Sequence, residues 1–408
     1  MSVTSRLQDI AAVGRDASSG GYRRLAWTDA DLTLREWFAG EAAALGLDLE
    51  VDRNGNMWAW WGDSSAGDAV ITGSHLDSVP DGGNFDGPLG VASALEAVAE
   101  LKRRGVQPRR PLAVVCFTDE EGGRFGVACI GSRLFAGVLA PERALALRDG
   151  DGITFAEALA AAGRDPRALG AEPDRLARIG AFVELHIEQG RGLVDMDAAI
   201  GVGTEVLPHG RWRVDITGQP NHAGTTLIAD RRDPMMGLAV LIDSARREAA
   251  ERDSVVRAAR ATVGKVQCTP NAVNAIPARV TGWLDARAHD EATLDAMLEA
   301  IGRDLLHLPG LQAQIQVESR TPAQVFTPAL SAALSHLFGD APMLATGAGH
   351  DAGVLAEVGV PSAMLFVRNP TGVSHSPDEF TEDTDCETGG AALADALAHL
   401  LTAETLPR

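Results

Sequence analysis

The sequence predicts an α/β protein in which strand–helix–strand stretches lie on either side of a smaller βαββαβ unit. Three features lead to that class. Short apolar runs bounded by turn residues occur in the first and last parts of the 408-residue chain, as buried strands require. Helical patterns of ordinary length separate them, which suits a sheet with helices on its faces. Between about residues 211 and 317 the strands instead alternate apolar with polar side chains, as in a sheet with one buried face.

Residues 69–73 (AVITG) and 112–117 (LAVVCF) are read as buried strands. Between them, 89–104 is a helix with Leu95, Val98 and Leu101 on one face, ending near Gly105. A strand–helix–strand order of that length favours parallel pairing. Residues 181–187 form another strand. In 211–217, Trp212, Val214 and Ile216 share one face of a half-buried strand. A helix over 234–247 follows, with Pro at its first turn. Strands at 261–267 and 279–287, a helix at 291–306 and a strand at 311–317 complete a split-βαβ, ferredoxin-like order. The last of these (LQAQIQV) alternates strictly, so its Gln positions face solvent. The unit has an ordinary domain size of roughly 110 residues. Beyond Thr321 the first style returns, with a helix at 330–338, an apolar strand at 363–367 and a terminal helix at 387–401. Periodicity does not say whether this tail begins a third domain or completes the first. The glycine-rich stretches 82–90 and 347–353 are loops in which backbone can approach a ligand closely.

Lys and Arg number 36 against 56 Asp and Glu, a net charge of -20. That excess repels phosphate backbones and anionic surfaces, which argues against nucleic-acid and membrane partners. No window approaches the roughly eighteen uninterrupted apolar residues of a spanning helix. The N-terminal MSVTSRLQDI lacks the basic-then-apolar pattern of a signal peptide. Cys116, Cys129, Cys268 and Cys386 are far apart, without CxxC spacing. Reduced thiols in a cytoplasmic protein are the expectation.

Four segments carry chemistry. In GSHLDSVPDGGNFDG, His75 and Asp77 follow a predicted buried strand, where open α/β sheets place ligands. An H-x-D carboxylate can accept the imidazole's second N–H and aim the other nitrogen at a metal. Asp86 follows in a glycine-flanked turn that can reach the same site. In CFTDEEGGRFG, Glu120 and Glu121 again end a buried strand; one can bind metal while the other acts as general base. The alternative is a solvated acidic turn. His186 in VELHIEQG sits mid-strand, where an imidazole needs a partner. His375 in GVSHSPDEFT lies in a turn after an apolar strand. Together they make a two-metal site plausible.

These segments resemble the M20 metallopeptidase superfamily in its amidase, hydantoinase and carbamoylase branch. That branch holds N-carbamoyl-L-amino acid hydrolases, β-ureidopropionases and allantoate amidohydrolases. The resemblance spans nearly the whole chain and includes GSHLDSVPDGGNFDGPLG, DEEGGRF, FVELHIEQG, NHAGTT, RRD, PNAVNAIP, LDAR, GAGHDA and SHSPDEFT. It implies a mixed sheet flanked by helices in a discontinuous catalytic domain, 1–208 with 320–408. Residues 209–319 would be the inserted lid and dimerisation domain. Two divalent ions (Zn, Mn, Co or Ni) are implied, bridged by Asp86. His75 and His186 would complete one ion, Glu121 and His375 the other. Glu120 would be the general base and Asp77 the partner of His75. A metal-bridging hydroxide would attack the ureido carbon of an N-carbamoyl-L-amino acid or a related ureido acid such as allantoate.

From the inserted domain, His222 is implied as the oxyanion donor, with Asn274 and Arg287 holding the substrate carboxylate. Strand alternation independently places Trp283, Asp285 and Arg287 on one face, and an Arg fork suits a carboxylate. The alternative for Arg287 is a salt bridge to Asp285. Gln189, Gly349 and His350 are further candidates for the ligand pocket. The resemblance implies a homodimer formed through the lid. Other readings of the scaffold are a dipeptidase or aminoacylase, against which HIEQG argues, and an idle binding protein, for which no loss of Glu120 or a ligand speaks. MWAWWG (Trp58, Trp60, Trp61) is read as core or helix cover, and Arg231 and Arg232 as forming a lid salt bridge, with contact to substrate as the alternative. Cys116 and Cys129 are read as small buried hydrophobes. His209, His289, His307, His336 and His399 receive no role.

Overall fold

The computed structural model describes residues 1–254 and 257–408. The chain divides into two compact units, Met1–Val206 with Val325–Arg408, and Leu207–Gln324. These boundaries fall a few residues from those expected. Strands β1 (Asp48–Val51), β2 (Met57–Trp61), β3 (Ala69–His75), β4 (Leu112–Phe117), β5 (Ile179–Ile187) and β6 (Ile200–Val206) precede the smaller unit. That unit carries β7 (His209–Thr217), β8 (Asn221–His222), β9 (Ala259–Thr269), β10 (Ala275–Ile276), β11 (Arg279–Ala288) and β12 (Gln312–Thr321). After it come β13 (Gln324–Val325), β14 (Met343–Thr346) and β15 (Ser362–Val367).

Among the described residues the large sheet runs β1-β2-β4-β3-β5-β15-β6-β13, with β14 also on β6. Its four middle strands, β4, β3, β5 and β15, are mutually parallel. Every residue in them is buried, which explains their mostly apolar composition. Outside these four, β14 pairs parallel with β6, but antiparallel pairs also occur. β1 and β2 are antiparallel neighbours joined by a short turn, β2 runs antiparallel to β4, and β15 antiparallel to β6, so the sheet is mixed.

Helices Pro88–Arg103 and Asp383–Thr402 cover one face, where Leu95, Val98, Leu393 and Leu397 join Val70, Val114, Val183 and Leu365 in one core. On the other face Trp58, Trp60, Ile71, Phe117, Phe182 and Phe366 pack together with Phe135 and Leu355. MWAWWG is therefore a strand whose Trp58 and Trp60 are core, their rings stacked 6.2 Å apart. No helix among the described residues is long and apolar enough to cross a membrane.

The smaller unit has a four-stranded antiparallel sheet, β12-β7-β11-β9, and a two-residue ribbon, β8 with β10. Helices Pro234–Arg252 and Glu291–Leu306 bury Trp212, Val214, Ile216 and Leu284 against Leu241, Leu294 and Ile301. The Gln positions of β12 face solvent, as its alternation predicts, but its apolar positions are open as well: Ile315 is 39% and Val317 63% exposed. They pair with Val214 and Trp212 of the core, but β12 is an edge strand of the sheet.

Candidate active site

Parallel neighbours bring their C-terminal ends to one sheet edge, which is where such sheets place ligands. Here β3 ends at His75, β4 runs into the Thr118–Glu121 turn, β5 ends beside His186, and β15 leads to the loop carrying His375. The register sets His75 opposite Phe117, and Phe366 opposite His186. Asp86 arrives from the turn before helix Pro88–Arg103. The Gly87 that follows it has φ +86°, and a Cβ there would lie 2.4 Å from the His75 ring, so only glycine fits.

These residues form two donor groups that share one carboxylate. His75, Asp86 and His186 offer ligand atoms within 4.8 Å of one another, as do Asp86, Glu121 and His375. Asp86 Oδ1 lies 3.1 Å from His186 Nε2 and 3.6 Å from His75 Nε2. Asp86 Oδ2 lies 3.5 Å from His375 Nε2, which is 3.3 Å from Glu121 Oε2. Glu120 Oε2 is 3.7 Å from His75 Nε2. All except half-exposed His375 and partly exposed Glu121 are buried.

The tautomers follow from the other ring nitrogen. His75 Nδ1 donates to the Asp77 carbonyl at 3.1 Å and His186 Nδ1 to the Ile187 carbonyl at 2.9 Å. In the neutral ring each Nε2 then carries a lone pair, buried and without a well-directed hydrogen bond, facing a carboxylate. Two acceptors facing each other need a proton or a cation between them. Ligand atoms about 2.1 Å from one tetrahedral ion sit roughly 3.4 Å apart, which the 3.1–3.6 Å separations match. The residues therefore fit divalent metal, and His with carboxylate suits Zn, Mn, Co or Ni alike.

In the metal-free protein protons answer the same need. Burial opposes charge on His75, but Glu120 and Asp86 overcome it and hold the imidazole well above its usual range. His186 is likewise raised against burial by Asp86. Hydrogen bonds to Asp86 and Glu121 push His375 up to about 11. Asp86 is held well below the carboxylate range, against burial, by His186 and its other imidazole neighbours. Burial pushes the Glu120 carboxyl well up, with Asp351 and Glu121 adding to it and His75 opposing.

Asp77 departs from the H-x-D expectation. Its carboxylate is 3.6 Å from His75 Nδ1, farther than its own carbonyl. Its two oxygens instead accept the main-chain N–H groups of Glu120 and Glu121, each at 3.1 Å. Asp77 thus shapes the acidic turn. The buried Cys129 is more than an apolar filler, because its thiol donates to Glu120 Oε1 at 3.2 Å. Gln189 Nε2 donates to Asp86 Oδ2 at 2.7 Å. Gly349 is exposed, whereas His350 is buried with its ring 4.5 Å from that of His186.

The other candidates belong to the smaller unit. His222 is exposed in β8, and its Nδ1 accepts the Gly224 N–H at 3.0 Å, so the proton is on Nε2. Asn274 is exposed beside β10 and its carbonyl accepts the Ala223 N–H. Arg287 Nε donates to Asp285 Oδ1 at 3.2 Å, the salt bridge weighed as its alternative.

Sequence reading missed a buried polar layer around the imidazoles. Glu184 accepts from Ser74 Oγ at 2.8 Å and from the Ala352 N–H at 3.0 Å, and Asp351 accepts from Ser132 Oγ. Glu184 stands two residues before His186 on one strand, hence on the same face, and that period-two spacing was the available signal. Glu379 and Ser374 also escaped notice.

The model of peptidase family M20/M25/M40 matches residues 71–399. The chain is 36% identical over 399 residues to an N-carbamoyl-L-amino acid amidohydrolase of Geobacillus stearothermophilus, covering 95% of each. It is 32% identical over 415 residues to an allantoate amidohydrolase of Bacillus subtilis (strain 168), covering 98% of this chain and 97% of that one. A solved amidase of the hydantoinase/carbamoylase family from Burkholderia vietnamiensis is 34% identical, with a TM-score of 0.84 and coverage of 98% of this chain and 97% of that one. Matched along nearly its full length in sequence and in fold, the chain belongs to peptidase family M20/M25/M40.

Proposed function

We propose that this C–N hydrolase cleaves the ureido group of an N-carbamoyl-L-amino acid or of a related ureido acid such as allantoate. One observation carries the reading: Asp86 is shared by two His/carboxylate groups, with the Glu120 carboxyl beside them. The names of the relatives support the substrate class.

His75, His186 and Asp86 would hold one divalent ion, and Asp86, Glu121 and His375 a second. Such ions, when bound, acidify water and polarise a carbonyl. Glu120 takes the proton of the attacking water and returns it to the departing nitrogen. Cys129 occupies Glu120 Oε1 and leaves Oε2 toward His75. His222 offers Nε2–H to the oxygen on which charge develops. Arg287, with Asn274, takes the substrate carboxylate by exchanging its bond to Asp285 for a bidentate one. Carbamoyl hydrolysis then yields ammonia, carbon dioxide and the amino acid.

Allantoate offers the same carboxylate and ureido group, so it is the close second reading, supported by the Bacillus relative. The test is ammonia release from a panel of N-carbamoyl-L-amino acids and allantoate by protein loaded with Mn²⁺, Zn²⁺ or Co²⁺. Turnover of neither would overturn both readings. Glu120→Gln should lower kcat by about 10²–10⁴-fold with metal content unchanged; full turnover would exclude Glu120 as the base.

A further inference from the structure

Asp86 must be held still to serve two ions, and its own turn lacks a strand to do so. The buried side chain of Glu379, from the segment after β15, enters that turn. Its Oε2 accepts the main-chain N–H of Phe85 at 2.9 Å and of Asp86 at 3.1 Å. Its Oε1 lies 3.2 Å from Ser374 Oγ, which in turn is 3.1 Å from Asp86 Oδ2. Gln189 Nε2, on Asp86 Oδ2, reaches the same Ser374 Oγ at 3.2 Å. The turn is built around this carboxylate, since a Cβ on Gly83 would come 2.2 Å from Glu379 Oε2.

Glu379 also stands four residues after His375, so one side chain fastens the Asp86 turn to the His375 loop. A carboxylate is an expensive fastener here. It is buried close to a second carboxylate, Asp86, and a neutral amide could accept the same two N–H bonds without that repulsion. Divalent cations on Asp86 reverse the balance, because the added negative charge then strengthens the site.

Building on the metal centre proposed above, we infer that Glu379 is a positioning residue that sets metal affinity by fixing the Asp86 turn against the His375 loop. The test titrates Zn²⁺ against a chromophoric chelator in the wild type, Glu379→Gln and Glu379→Ala, and records melting of each with and without metal. Affinity should fall in that order, with Ala weaker by about 10–100-fold and Gln between, since its carbonyl still accepts from Phe85 and Asp86. The rise in Tm on adding metal should shrink, over and above any loss of the metal-free Tm from the two N–H groups left unpaired in Glu379→Ala. An Ala variant as tight as wild type overturns the inference, as does an equal loss of Tm with and without metal. If Glu379→Ala is insoluble, Glu379→Gln and Ser374→Ala decide it, and unchanged affinity in both overturns it. A wild type that binds no ion refutes the metal centre itself, an outcome distinct from tight binding by the variants.

Discussion

His75 and His186 each direct Nδ1 to a main-chain carbonyl and Nε2 to Asp86, so the same atoms serve a proton or a metal ion. His375 joins them, its folded value of about 11 standing far above its ordinary 6.5. The sign follows directly. In the metal-free protein these raised imidazoles stabilise the fold fully below about pH 6.5, and the contribution is lost as pH rises toward their folded values. Metal must displace those protons, so binding at pH 7 releases protons and affinity rises with pH. Titration calorimetry in buffers of different ionisation enthalpy measures the release; buffer-independent heats would contradict it. Residue types and spacing alone pointed to His75, Asp86, Glu120, Glu121, His186 and His375, because ionisable groups at the ends of apolar runs need partners. Asp77's actual bonds, and the roles of Cys129 and Glu379, were not legible, since hydrogen-bond choice depends on where neighbouring turns lie.

At the scale of elements, strand ends do the positioning and helices hold the strands. Helix Asp383–Thr402 lies against Pro88–Arg103, the helix that starts directly after Asp86, with Leu397 fully buried between them and the sheet. Leu397→Ala should cost about 2–5 kcal/mol, read by chemical denaturation; a loss below about 1 kcal/mol would show that the site collapses around the cavity. The middle strands were legible because strands buried on both faces are mostly apolar, broken in β3 and β5 chiefly by the polar residues of the site and its surroundings. In β12 the alternation correctly places the Gln positions toward solvent, but period two reports which face a residue takes, not whether an edge strand's apolar positions are covered. β2 was legible as core but not as an antiparallel strand, because pairing direction is set by its short turn from β1 and its partner β4.

For the whole molecule, the net charge of -20 coexists with a sheet edge where Asp77, Asp86, Glu120, Glu184, Asp351 and Glu379 are all buried. Such a concentration of acid is costly unless protons or cations offset it. Chelation should therefore lower Tm, and restoring metal at a hundredfold excess over Kd should return about 2.7 kcal/mol. Scanning calorimetry with and without chelator checks this, and identical melting would contradict a resident metal.

By itself the sequence determined the apolar runs that become the central strands, the alternation that marks a second sheet, and the residue types able to hold a metal. Those properties are local, written within a few residues of one another. The motif resemblance already implied that Asp86 bridges two donor groups and that the distant His375 completes one of them; only the tertiary structure decided how their loops close and that Glu379 fastens them. Such pairings depend on strand order and loop closure, and neither leaves a trace in local periodicity.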